Sequence, residues 1–231
     1  MKDIYSNSDS DYLQLNKSWH AEDSAWKAMQ IFKMIKRNEL KPKSIVEVGC
    51  GVGEVLSEIN DIIDDEDVIY HGYDIANDAI IRAMERKKSN LKYFCKDFVS
   101  ENKIKYDLLL MIDVFDHVPN YIGFIEECSK KADYKIFHIP IDIHLSGILR
   151  NQLISTRISV GHLHYFTKET AVATLVDSGL VILDYFYTPV SGMSKKFRSK
   201  VANIPRNILF RFCPDLAVKI FGGYSLMVIT R

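Results

Sequence analysis

The period of the apolar positions changes repeatedly along the chain, and each change marks an element. From Glu22 to Arg37, "EDSAWKAMQIFKMIKR" puts Ala25, Ala28, Met29, Phe32 and Ile35 on one helical stripe, with basic residues near its end. "NELKP" breaks that helix, and strand and helix patterns then alternate. "SIVEVG" predicts a strand, "VGEVLSEINDII" a helix, "VIYHGYDI" a strand, and "NDAIIRAMERKK" a helix with Asn77 as its N-cap. "LKYFC" and "YDLLLMIDV" predict strands, the second almost continuously apolar, as a central parallel strand buried on both faces requires. "NYIGFIEECSKKA" reads as a helix and "YKIFHIPI" as a strand. "TKETAVATLVDSG" is a helix capped by Thr167, with Gly179 past its end. "LVILDYFY" and "YSLMVIT" complete seven strands. Repeated βα units of this kind predict an α/β, Rossmann-like, doubly wound sheet, mostly parallel. Two stretches fall outside the rhythm: the irregular segment from Asp142 to Tyr165, and the segment from Thr188 to Gly223. Long connections in a compact domain are more often functional than idle.

The chain has 231 residues, 47% of them hydrophobic and 26% charged, the composition of one globular domain with a good-sized core. Its formal net charge is zero, which argues against a dedicated nucleic-acid binder with a broad basic face. The opening "MKDIYSNSDSDY" lacks the apolar region of a signal peptide, and no apolar run reaches membrane-spanning length. Cys50, Cys95, Cys128 and Cys213 are scattered without CxxC spacing, so a reduced, cytoplasmic chain without a disulfide framework is expected.

"EVGCGVGE" is the chemical landmark. Three glycines, Gly49, Gly51 and Gly53, follow the first strand, where a doubly wound sheet binds its ligand. A dinucleotide fingerprint would need glycine where Glu54 stands. A carboxylate there, with Glu47 just before the loop, disfavours a diphosphate and favours a cationic ligand. The absence of a following Gly-Lys-Ser/Thr excludes a Walker loop.

In these motifs the chain resembles the class I S-adenosylmethionine-dependent methyltransferases, roughly from Trp19 to Gly179, with the last two strands matching that family's terminal hairpin and its antiparallel C-terminal strand. "VEVGCGVGEVL" is similar to the first motif. By that resemblance Gly49, Cys50, Gly51 and Gly53 would lie against the methionine part of the cofactor, with Glu47 near its ammonium. "YHGYDI" resembles the second motif, in which Asp74 would accept hydrogen bonds from the ribose hydroxyls and Ile75 pack on the adenine. "FCKDF" would place Asp97 and Phe98 around the adenine. "YDLLLMIDVFDHVPN" would put Ile112 and Asp113 at the methyl-transfer site. "DVFDHVPN" with "GHLHYFTKETAVATLVDSGLVI" resembles the small-molecule and glycan branch akin to quinone-biosynthesis enzymes, although Asp116 stands where that branch usually has Glu. "SWHAEDSAWKA" resembles leaders of methyltransferases encoded with bacterial surface-polysaccharide genes.

The resemblance implies S-adenosylmethionine as cofactor, S-adenosylhomocysteine as product, and a small-molecule or glycan acceptor methylated on oxygen or nitrogen. Residues 41–187 and 224–231 would form the cofactor domain. Residues 1–40 would cover it, with Trp19, His20 and Trp26 meeting the substrate alongside Tyr165. His144, His162 or His164 would act as general base, with His117 orienting the loop after the fourth strand and His138 sitting in the core. The H-x-H pair would suit a metal only with a third ligand such as His144 or Asp142, and no metal is expected. Residues 188–223 form a basic insert carrying Lys195, Lys196, Arg198, Lys200, Arg206 and Arg211; it suits a solvated lobe, an anionic acceptor or a membrane surface. An NAD-dependent oxidoreductase and a tRNA or rRNA methyltransferase are the alternative readings. A homodimer is compatible with this reading.

Overall fold

The computed structural model describes residues 23–101, 105–189 and 204–231. Seven strands form one sheet: β1 (Ser44–Val48), β2 (Ile69–Asp74), β3 (Leu91–Cys95), β4 (Tyr106–Ile112), β5 (Ala132–Pro140), β6 (Ile182–Pro189) and β7 (Tyr224–Thr230). Their order is β3-β2-β1-β4-β5-β7-β6. The β1–β2, β1–β4, β2–β3 and β4–β5 pairs are parallel, and β7 runs antiparallel to both β5 and β6. Six strands therefore share one direction, and their carboxyl ends open on a single edge.

The apolar runs are buried on both faces because side chains alternate along a strand. In β4, Leu109 and Met111 pack on one face while Leu108, Leu110 and Ile112 pack on the other. The second face is covered by α1 (Ser24–Arg37), α2 (Glu54–Ile63) and α3 (Asn77–Ala83). The first is covered by α4 (Tyr121–Ser129), α7 (Lys168–Asp177) and α9 (Pro214–Phe221).

Several local expectations need correction. The buried stripe of α1 is Ser24, Ala28, Ile31, Met34 and Ile35, while Ala25 and Met29 face solvent. The α3 helix starts at Asn77, so Ala76 and not Asn77 holds the cap position, and no side chain caps it. Thr167 does cap α7, in a reciprocal box with Thr170, and Gly179 follows with φ +80°. The segment from Asp142 to Tyr165 is not irregular: it holds α5 (Leu145–Leu149) and α6 (Gln152–Val160). No strand forms around "GHLHYF", so the two histidines do not share a strand face. After β6, α8 (Ile204–Phe212) precedes α9. Lys195, Lys196, Arg198 and Lys200 lie outside the described residues, and Arg206 is buried with its guanidinium over the Tyr224 ring. No described helix is long and apolar enough to cross a membrane.

Two of the loop glycines are dictated by the protein's own packing. Gly49 has φ +73° and Gly53 φ +76°. A Cβ on Gly49 would sit 2.6 Å from Val114 Cγ2, and one on Gly53 would sit 2.5 Å from the Tyr93 ring. The Tyr93 hydroxyl also donates to the Gly53 carbonyl at 2.7 Å. Gly53→Ala should therefore cost about 2–4 kcal/mol, from left-handed backbone strain plus overpacking. Urea denaturation checks this; a loss under about 0.5 kcal/mol would contradict it.

Candidate active site

A cavity of about 1140 Å3 lies over the carboxyl edge of the sheet. Each parallel strand delivers one or two residues to it. β1 ends in Glu47 and the glycine loop, β2 in Asp74 and Ile75, and β3 in Asp97 and Phe98. β4 ends in Ile112 and Asp113, and β5 contributes His138. The six cofactor positions read from the second, third and fourth motifs thus meet in one space with the loop.

Glu47 is 2% exposed, and its Oε2 has no hydrogen-bond partner. Burial pushes its carboxyl up to about 8; the Lys27 charge pulls it back, and the Asp74 charge adds to the rise. Asp74 is held by backbone: the Gly51 N–H donates to Oδ2 at 2.8 Å and the Ala76 N–H to Oδ1 at 2.8 Å. Each carboxylate oxygen keeps a further lone pair for a ligand. Burial raises the Asp74 carboxyl despite those donors. Ile75 is 44% exposed at the cavity rim, ready to meet an apolar surface. Phe98 is packed edge-on against Tyr73, and Asp97 caps its turn by accepting from the Val99 N–H at 3.0 Å. Cys50 is a buried loop residue whose thiol is pushed up by burial, so it holds no ready thiolate.

Asp113 is the strained point. Its φ of 54° places a non-glycine residue in the left-handed region, a cost that only firm surroundings sustain. Those surroundings are Lys27 Nζ at 2.9 Å from Oδ2, His138 Nδ1 at 2.6 Å from Oδ1, and the Asp113 N–H donating to the His138 carbonyl at 3.0 Å. Burial alone would raise the Asp113 carboxyl, but His138 and Lys27 hold it well below the usual carboxylate range. His138 Nε2 reaches Thr188 Oγ1 at 2.9 Å, tying in β6. The expectation that His138 is merely core is therefore incomplete: it is buried, but it grips the end of β4.

The remaining histidines separate cleanly. His144 caps α5, its Nδ1 accepting from the Gly147 N–H at 3.0 Å, and its ring packs on Gly222. Burial lowers its basicity. His164 Nε2 bonds the Val118 carbonyl at 3.0 Å, and its ring rests on Tyr121 away from the cavity. His144 nonetheless lines the cavity, whereas His164 does not. His117 and His162 line the cavity with their rings 5.0 Å apart. Burial opposes charge on His162, but its hydrogen bond to Asp142 and the charges of Asp116, Asp142 and Asp113 raise its basicity. Trp26 lines the cavity edge-on to His138. Tyr165 does not line it; its hydroxyl donates to the Leu153 carbonyl at 3.0 Å and so supports α6. Gln152, Thr156, Ser159 and Val160 give α6 its cavity-facing side. Trp19 and His20 lie outside the described residues. Lys27 and Asp116 were not among the expected site residues. The available signal for Lys27 was a lysine between Ser24 and Ala28, inside the stripe that proves buried. Glu54 pairs with Arg86, which neutralises the charge that the sequence set against a diphosphate.

A family model described as a methyltransferase domain matches residues 19–185. A ubiquinone biosynthesis O-methyltransferase of Glaesserella parasuis serovar 5 (strain SH0165) is 27% identical, over 54% of this chain and 60% of its own length. The chain thus spans under two thirds of that curated relative. The magnesium protoporphyrin IX methyltransferase of Synechocystis PCC 6803, solved with bound S-adenosylhomocysteine, superposes with a TM-score of 0.61 at 13% identity, covering 98% of this chain and 90% of that one. A plantazolicin methyltransferase, solved with S-adenosylhomocysteine and a substrate analogue, gives 0.62 at 17% identity, covering 96% and 90%. At these identities the likeness is one of fold.

The Glu47 geometry carries a stability prediction. Its folded pKa of about 8 exceeds the value of about 4.3 for an exposed glutamate. Between those values the folded state holds a proton that the unfolded state has released, so stability falls as pH rises from about 5 to 8. Each pH unit should cost about 1 kcal/mol from this group. Glu47→Gln should flatten the slope in urea denaturation across that range; identical slopes in both proteins would contradict it.

Proposed function

The chain belongs to the methyltransferase-domain family, and from that premise we propose that it is an S-adenosylmethionine-dependent methyltransferase of a small-molecule acceptor. The finer reading is transfer to an oxygen or nitrogen of a small molecule or glycan precursor, such as a sugar of a surface polysaccharide. The carrying observation is the buried, unpartnered Oε2 of Glu47, a residue that lines one cavity with Asp74 and Asp113. Such a site suits a ligand with a cationic end and a hydroxylated sugar, and S-adenosylmethionine has both. When bound, it supplies a methyl group on a cationic sulfur and leaves as S-adenosylhomocysteine.

The roles of the chain's own residues follow from this. Glu47 would take the ammonium, Asp74 the ribose hydroxyls, and Ile75, Asp97 and Phe98 the adenine end. The loop of Gly49, Cys50, Gly51 and Gly53 and the side chain of Ile112 would enclose the middle of the cofactor. Asp113, with its carboxylate pinned from two sides, would frame the reacting methyl without moving. The acceptor would enter between Trp26, the inner side of α6 and the His117–His162 wall. Holding acceptor and methyl in line and excluding water can lower a barrier by about 7–11 kcal/mol, so alignment is the protein's main task. Because His144 and His164 are engaged in structural bonds, acceptor activation falls to the His117–His162 wall.

An NAD-dependent oxidoreductase would need a diphosphate beside the buried Glu47 carboxyl, which offers it no hydrogen-bond donor once ionised. The neutral net charge supports a small acceptor over a nucleic acid. In calorimetric titration the protein should bind S-adenosylhomocysteine and not NAD. Asp74→Ala should weaken binding about 10- to 100-fold, the loss of hydrogen bonds to a charged group. Equal affinity in both proteins, or preference for NAD, would sink the reading.

A further inference from the structure

His117, His162 and Asp116 form an arrangement that the cofactor site does not use. The 3-10 turn Phe115–His117 after β4 presents Asp116 and His117, and the stretch after α6 presents His162. Asp116 Oδ2, one ring nitrogen of His117 and one of His162 all lie within 4.8 Å of one another. Oδ2 is 3.2 Å from His162 Nε2 and 3.6 Å from His117 Nε2. Asp116 is 2% exposed, yet its Oδ2 receives no well-formed hydrogen bond.

The outer ring nitrogens explain how these atoms are aimed. His162 Nδ1 lies 2.7 Å from Asp142 Oδ2, and His117 Nδ1 lies 3.2 Å from the Gly161 carbonyl oxygen. A carboxylate or carbonyl oxygen only accepts, so both Nδ1 atoms carry the proton. The Nε2 atoms of both rings therefore lie on the side of Asp116 Oδ2, a buried carboxylate oxygen that no hydrogen bond satisfies. A buried carboxylate oxygen so placed suits a cation. A ring N–H bonded outward to an oxygen is the arrangement that orients metal-ligating histidines. Donors about 2.1 Å from a tetrahedral ion stand ~3.4 Å apart, which the two separations from Oδ2 bracket.

We propose that Asp116, His117 and His162 bind one divalent transition-metal ion, with Asp142 and the Gly161 carbonyl holding the two imidazoles. Two imidazoles and one carboxylate suit zinc, manganese or cobalt over magnesium or calcium. Both histidines line the cavity, so the open coordination position faces the acceptor's space. The ion's use, unlike its binding, rests on the methyl-transfer reading: an acceptor hydroxyl bound there would release its proton to water more readily. On this proposal the ion would take the place of the lone histidine base, at a site where the sequence led us to expect no metal.

The test is metal binding by the chelator-treated full chain, titrated with Co2+ and then competed with Zn2+. The wild type should bind one ion per chain, with visible cobalt absorption that zinc abolishes. Asp116→Asn and His162→Ala should each lose at least about 100-fold in affinity. Asp142→Asn, the gentler change, should lose about 10- to 100-fold while keeping the melting temperature of the metal-free protein. His164→Ala should bind metal as the wild type does. Absence of stoichiometric binding in the wild type overturns the proposal, and so does equal affinity in the wild type, Asp142→Asn and His162→Ala. S-adenosylhomocysteine affinity, read on the same samples, tests the methyl-transfer reading separately: its absence beside intact metal binding contradicts that reading alone.

Discussion

Burying carboxyl groups together is the constraint under which this structure is built. Glu47, Asp74, Asp113 and Asp116 converge on the carboxyl edge of the sheet, each in surroundings where a naked charge costs several kcal/mol. The fold answers each one differently. Asp113 is neutralised by Lys27 and His138. Asp74 is solvated by the N–H groups of Gly51 and Ala76. Glu47 and Asp116 each keep one buried oxygen without a hydrogen bond. The satisfied pair builds a rigid frame, and the unsatisfied pair is where the proposed cofactor and the proposed metal ion would bring positive charge.

The frame depends on α1 being docked. Lys27 ties its first turns to Asp113, and Arg37 at its other end makes two bonds of 2.9 Å to Asp184 on β6. The surface pair adds little energy, but it fixes the helix along the sheet so that Lys27 arrives at the end of β4. The position of α1 and the shape of the site are therefore coupled through the Lys27–Asp113 ion pair, which acts beside the His138 bond to the same carboxylate.

Much of the fold was legible in the sequence because the inner strands β1, β4 and β7 are buried on both faces and so announce themselves as apolar runs. "YDLLLMIDV" can be little else than a central strand. The glycine loop and Asp74 were legible for a topological reason: parallel strands deliver their ends to one edge. The α1 stripe was misread by about one position, since Phe32 and Met29 look as apolar as Ile31 and Met34, and only the packing partner decides between them. Helices α5 and α6 escaped notice because α6 buries none of its residues and α5 only Gly147, leaving no periodic signal. Glu54 looked like a free charge until α3 and its following turn brought Arg86 beside it. His117 and His162 are 45 positions apart, and nothing local indicates that both rings turn toward Asp116.

The central claim is that an uncompensated carboxyl at the end of β1 receives the cationic end of the cofactor. The most direct measurement is the proton balance of S-adenosylhomocysteine binding near pH 7, from calorimetric enthalpies in buffers of different ionisation heat. A protonated Glu47 that must ionise to meet an ammonium predicts release of close to one proton per molecule bound in the wild type, and none in Glu47→Gln. Identical proton balance in the two proteins would contradict the account.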